Sequence, residues 1–117
     1  MDATLESVLT SSKKLIGIDE YDDTFDSDII IFINSVFSAL NQMGAGPTTG
    51  FFITDDKALW TEFSTDIILL GFVKSFVYLK VKLAFDPPQS SAVIESMKYM
   101  IAEQEWRITQ AAEPTTV

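Results

Sequence analysis

Six carboxylates fall between Asp19 and Asp28, namely Asp19, Glu20, Asp22, Asp23, Asp26 and Asp28, with Ser27 between the last two. Acids this dense can bind calcium, share a proton in acid–base catalysis, or cap a helix. A calcium loop of the EF-hand type needs glycine at its sixth position and glutamate at its twelfth, and the run has neither. A glycosidase pair needs two carboxyls set apart across a pocket, which one cluster at a helix start does not provide. Histidine and cysteine are both absent from the 117 residues. That removes the commonest general base, any thiolate nucleophile and the usual nitrogen and sulfur metal ligands. The structural reading is stronger: Asp26 and Asp28 stand where a helix begins, and carboxylates there answer free N–H groups and the helix dipole. No catalytic, metal or cofactor residue is assigned, and the chain is read as a non-enzyme.

The elements that carry these residues follow from hydrophobic period and breakers. A first helix, capped by Asp2 or Thr4, runs to about Ile16 with Leu5, Val8, Leu9, Leu15 and Ile16 as its apolar set. Gly17 suits the left-handed position that ends it. After the acidic loop, a second helix runs from about Ser27 to Met43. Its core stripe is Ile29, Ile30, Ile33, Val36, Phe37, Leu40 and Met43, and Ile31 and Phe32 widen it, which predicts burial on two sides. Gly44–Gly50 is a loop with three glycines and a proline. It lacks the GK[ST] sequence and preceding strand of a phosphate loop. Phe51–Ile53 suits a short extended piece, and Asp55-Asp56 opens a short helix through Trp60 and Phe63. These aromatics predict a satellite core under the loop rather than a ligand box.

Asp66 caps the central helix, and no acidic residue, proline, asparagine or glutamine interrupts the nineteen residues before Asp86. At 1.5 Å per residue that segment is about 30 Å long, long enough to raise the question of a membrane span. Steps of 100° place Gly71, Lys74, Ser75, Tyr78 and Lys82 on one polar arc. Three lysines at the bilayer centre would cost about 2.5–3.5 kcal/mol each, so no span is expected. Lys80 projects on the apolar side; either its stem is buried and its ammonium snorkels, or a carboxylate of a second chain meets it. Pro87-Pro88 makes a corner, and Ser90 or Ser91 caps a last helix with the stripe Val93, Ile94, Met97, Ile101 and Ile108. Tyr99 and Trp106 lie off that stripe with Met100 nearby, packed under a loop or offered to a partner. The fold class is all-α, a small bundle of four main helices with a Gly/Pro-rich loop and a short extra helix between helices two and three. Residues 1–112 form a single helical domain and 113–117 a flexible tail.

Net charge is -9 and the isoelectric point is near 4.2. That argues against a surface that neutralises phosphates, but not against a wall past which nucleic acid slides. Eight acids and no base occupy Leu15–Asp56, whereas Lys57–Arg107 holds six of each. Such a division suits head-to-tail binding of copies, and equally a solvated acidic face that aids solubility. The N-terminus has no apolar signal region, so an intracellular chain is expected. Asp26-Ser27-Asp28 is similar to the Asp-Ser-Leu at which acyl carrier proteins take a phosphopantetheine arm. Phe25 replaces the usual small residue before it and Asp28 replaces the leucine. A carrier modified on Ser27 and an acidic inhibitor or DNA mimic are the alternative readings.

The segments Lys13–Pro47, Phe52–Phe63 and Tyr78–Ile108 together resemble the head–tail connector (adaptor) proteins of tailed phages and prophages of Gram-positive bacteria. The most telling parts are the Phe85-Asp86-Pro87-Pro88 corner, the Ile33-Asn34-Ser35-Val36 helix and the Glu105-Trp106-Arg107 end. The resemblance implies a structural subunit in a ring, commonly of twelve copies, beneath the portal protein. The ring continues the DNA channel toward a stopper or tail-completion protein, with DNA passing unbound. It places the chain in the virion at the head–tail interface, and in the host cytoplasm during assembly. No membrane contact is implied. Inter-subunit contacts are expected from Asp19, Glu20, Asp22 and Asp23 toward Lys74, Lys80 and Lys82. Portal contacts are expected from Trp106, Arg107, Thr109, Gln110, Glu113, Pro114 and Val117.

Overall fold

The computed structural model describes residues 7–112; the expected caps at Asp2 and Thr4, Leu5, and the tail from Glu113 lie outside the described residues. Five helices follow in order: α1 (Val8–Leu15), α2 (Asp26–Gln42), α3 (Trp60–Phe63), α4 (Ile67–Phe85) and α5 (Ser91–Ala112). The protein is an all-α bundle of four main helices, with α3 as the short extra one.

The bundle is assembled around α4. Asp66 starts it as expected, its Oδ1 accepting the N–H groups of Ile68 at 3.0 Å and Leu69 at 3.2 Å. Leu69, Leu70, Val73, Phe76, Val77, Leu79 and Val81 are buried along it. α4 packs on α2, on α5 and more lightly on α1, and the Pro87-Pro88 corner folds α5 back along it. The polar arc emerges at the surface: Gly71 is exposed, and Lys74, Ser75, Tyr78 and Lys82 are half-buried.

The first helix starts later than expected: Ser7 has extended backbone and is its cap, its Oγ accepting the Thr10 N–H at 3.0 Å, so the helix does not run through from Asp2 or Thr4. Gly17, at φ +87°, follows the last turn in the left-handed region that favours glycine. The expected apolar set is corrected at Leu15, which is 52% exposed. The inward face of α1 is shared by Val8, Leu9, Ser12, Lys13 and Ile16, all buried. Leu15 lies about 90° from the middle of that face at 100° per residue.

Along α2, Ile29, Ile33, Val36, Phe37 and Leu40 are buried, with Ile30 and Met43 half-buried against the same core. Phe32 turns to the corner, where its ring meets Phe85 at 6.4 Å, but Ile31 is open to solvent. Asn34, in the middle of α2, holds the extended piece: its Oδ1 accepts the Ile53 N–H at 2.8 Å and its Nδ2 donates to the Ile53 carbonyl at 2.9 Å. One amide side chain thus does the pairing that a neighbouring strand would do. No strand forms among the described residues, where pairing outside the helices includes an isolated bridge between Ser7 and Leu59.

The aromatics of residues 51–63 do not form a satellite. Phe37 meets Phe51 at 4.9 Å, Phe63 at 5.4 Å and Trp60 at 6.2 Å, so they join the main core, and only Phe52 stays exposed. Trp60 donates its indole N–H to Ser11 Oγ at 2.7 Å, tying this group to α1. Gly46, at φ +83°, lies against the Phe63 ring, with which any Cβ would collide. In the last helix Met97 and Ile108 are buried, and Ile94 and Ile101 half-buried. Val93, expected on that stripe, is instead 46% exposed, at the stripe's edge in the first turn of α5, where no neighbouring element covers it.

Candidate functional site

The acidic loop is built by its own side chains. Asp19 Oδ1 accepts the Tyr21 N–H at 2.8 Å and Asp22 Oδ1 the Thr24 N–H at 3.1 Å, two Asx turns in succession. Hydrogen bonds from the Thr24 side chain and then its backbone hold the Asp22 carboxyl below its ordinary value. The folded carboxyl is thus the stronger acid, so what it adds to stability is present above the unfolded value and fades as pH falls. Asp26 and Asp28 lie in the first turn of α2 as expected, although Phe25, at the cap position, makes no side-chain cap hydrogen bond.

Lys13 holds the loop from beneath. Its side chain is only 3% accessible, and its Nζ lies 2.8 Å from Asp26 Oδ1 and donates to the Glu20 carbonyl at 3.0 Å. A buried ammonium is tolerated only with such partners. Charge counting along the chain missed this residue, since it stands two positions before the acid-only segment begins. Its signal was its place on the inward face of α1. Above it opens a cleft of about 530 Å³ lined by Leu9, Glu20, Tyr21, Asp23, Asp26 and Asp55, among others. Among the described residues no group of three or more carboxylates is placed to hold a metal ion.

The expected basic partners are spread along α4 and each has a neighbour within the subunit. The Lys74 ammonium lies 5.7 Å from the Trp60 ring, Lys80 lies 5.6 Å from the Phe76 ring, and Lys82 pairs with Asp86 at 2.9 Å. Lys80 thus lays its stem along the apolar side and ends over an aromatic face, a favourable seat for a cation.

On α5, Arg107 binds Glu103 at 2.8 Å through Nη2 and stacks 5.8 Å over Phe72. Thr109 Oγ1 donates to the Glu105 carbonyl at 2.8 Å, and Gln110 is exposed. Glu113, Pro114 and Val117 lie outside the described residues. Trp106 is 63% exposed and Tyr99 78% exposed, on the side of α5 away from Met97 and Ile108. They are not covered by a loop.

No helix among the described residues is long and apolar enough to cross a membrane. Fold and surface together define an all-α bundle with an acidic loop before α2, lysines along α4 and exposed aromatic residues on α5. The chain belongs to the phage connector protein family, with a match over residues 8–115. No curated protein and no solved structure matches it.

Proposed function

We propose that this chain is a head–tail connector subunit, without catalytic activity, whose copies close into a ring of twelve beneath the portal. The ring extends the DNA channel and joins the capsid to the stopper and tail. It is assembled in the host cytoplasm and carried in the virion. The match to the phage connector family over residues 8–115 carries this reading. Two features support it. Ile67 and Ile68 on α4 and Tyr99, Met100 and Trp106 on α5 are left uncovered in the single subunit, neighbouring apolar groups that a second copy can bury. A net charge of -9 also suits a wall from which DNA is repelled. Native mass measurement with and without portal tests the reading. A multiple of the 13.0 kDa subunit mass is expected, and a 13.0 kDa particle in both samples overturns it.

Within that ring the acidic loop around Asp19, Glu20, Asp22 and Asp23 lies toward Lys74, Lys80 and Lys82 of the next copy. Reversing Lys74 and Lys82 together to glutamate is expected to weaken self-association about tenfold at low salt, with the difference shrinking as salt screens it. Equal assembly of variant and parent at low and high salt would remove this contact. Residues 1–112 act as one folded unit and 113–117 as an arm that reaches the portal, together with Thr109 and Gln110. Ala112 packs against the core, so the informative truncation falls after it. Removing 113–117 is expected to leave the melting temperature within about 1 °C and to lower portal binding. Portal binding at full strength sinks the assignment.

A further inference from the structure

Two outward faces of the α4–α5 hairpin differ in shape. On α5, Tyr99 and Trp106 are seven residues apart, hence within about 20° of each other around the helix axis. Both project opposite buried Met97 and Ile108, with small Ala102 exposed between them. On α4, Ile67 and Ile68 are 76% and 72% exposed beside Gly71, an exposed glycine inside a helix. Nothing lies within 4 Å of the place a Cβ would take at Gly71. The residue therefore answers no close contact inside the subunit, and it weakens the helix relative to alanine. A glycine with Ser75 one turn on leaves a notch between projecting isoleucines. One chain thus presents large aromatic knobs on one helix and an apolar notch on the next.

The charges agree with the shapes. On α4, which carries no acid between Asp66 and Asp86, Lys74 and Lys82 share the arc of Gly71, with Lys74 one turn from it and Lys82 paired with Asp86, while Lys80 lies on the opposite side. The outer side of α5 sets Glu95 near Tyr99, and Glu103 near Trp106, in ion pairs that are exposed. Exposed pairs of this kind are worth little and exchange partners readily.

We infer that the Tyr99–Trp106 face of α5 in one copy docks on the Ile67–Gly71 notch of α4 in a second copy. Because the two faces differ, the contact is heterologous, so each copy uses one face and leaves the other for its neighbour, the geometry that propagates into a ring. This rests on the connector reading and deepens it by naming the surfaces that meet. It also assigns Trp106 to a neighbouring copy and leaves the portal contact to the residues from Thr109 on. Aromatic residues in such positions dominate binding energy, and the mass of contacts around them only excludes water.

The chain has no cysteine, so introduced thiols report the contact cleanly. Gly71→Cys and Ala102→Cys, both at exposed positions, are made as separate full-length proteins, mixed at high concentration and in the presence of portal, and oxidised. A disulfide joining one variant to the other, and little of either to itself, is the expected product. Trp106→Ala is expected to weaken self-association about 30-fold with unchanged thermal unfolding, since the side chain takes no part in the core. A ring that forms normally without the mixed disulfide overturns this contact and leaves the connector reading standing. Ala102→Cys linking to itself, as a two-fold dimer would, also overturns it. A chain that never assembles, alone or with portal, overturns both.

Discussion

Phe37→Ala is expected to cost about 3–5 kcal/mol, read as a fall in the urea midpoint at constant slope. Phe37 is 1% exposed and is the one ring that touches Phe51, Trp60 and Phe63 together. Removing it opens a cavity where the segment after α2, the short α3 and α1 (through Trp60 and Ser11) come together. Those neighbours cannot collapse inward cheaply. Ile53 is pinned to Asn34 by two hydrogen bonds, and Gly46 already lies against Phe63. Edge-to-face ring contacts add to the simple transfer cost. Against a typical domain stability of about 5–15 kcal/mol, the loss is a large share of the whole. Phe52→Ala is the control: with its ring 70% exposed, a shift within about 0.5 kcal/mol is expected. Equal losses at both positions would contradict a core centred on Phe37.

Asp26→Asn is expected to be the second most damaging change, at about 3 kcal/mol, because it strands a buried ammonium. Lys13 is 3% accessible in its side chain and Asp26 27%, so the lysine bears the burial and the aspartate keeps some water. The Glu20 carbonyl remains as an acceptor but carries no charge, which is why the estimate sits at the low end of the range for broken buried pairs. Replacing both partners together, as Lys13→Met with Asp26→Leu, removes the stranded charge and is expected to recover most of the loss. A double-mutant cycle by chemical denaturation measures the coupling. If Asp26→Asn costs less than about 0.5 kcal/mol, Lys13 does not need its partner and the account of the acidic loop fails. Because Lys13 also holds Glu20, loop amides should exchange faster in the single variant before global stability is lost.

The helices were legible because their signals are local. Period, the caps at Asp66 and Gly17, and the Pro87-Pro88 stop lie within a turn or two of the residues they govern. The buried stripe of α2 and the polar arc of α4 follow from the same short-range geometry. Where a residue's fate depended on what crosses it, the same reasoning stopped short. Val93 and Leu15 have the composition of core residues, yet no neighbouring element reaches them. Asn34 reads as a polar interruption of α2 until Ile53, nineteen positions on, arrives beside it. Lys13 reads as one of two surface lysines at the end of α1 until the acidic loop folds over it.

By itself, then, the amino-acid order determined an all-α chain without histidine or cysteine chemistry, the ends of its main helices apart from the start of α1, and the division of charge between its halves. Only the tertiary structure decided that Phe51, Trp60 and Phe63 share one core with Phe37, that the acidic loop is anchored on a buried lysine, and that Tyr99, Trp106, Ile67 and Ile68 remain uncovered. Helix propensity and capping act over three or four residues, whereas burial depends on the distance and angle at which remote segments meet.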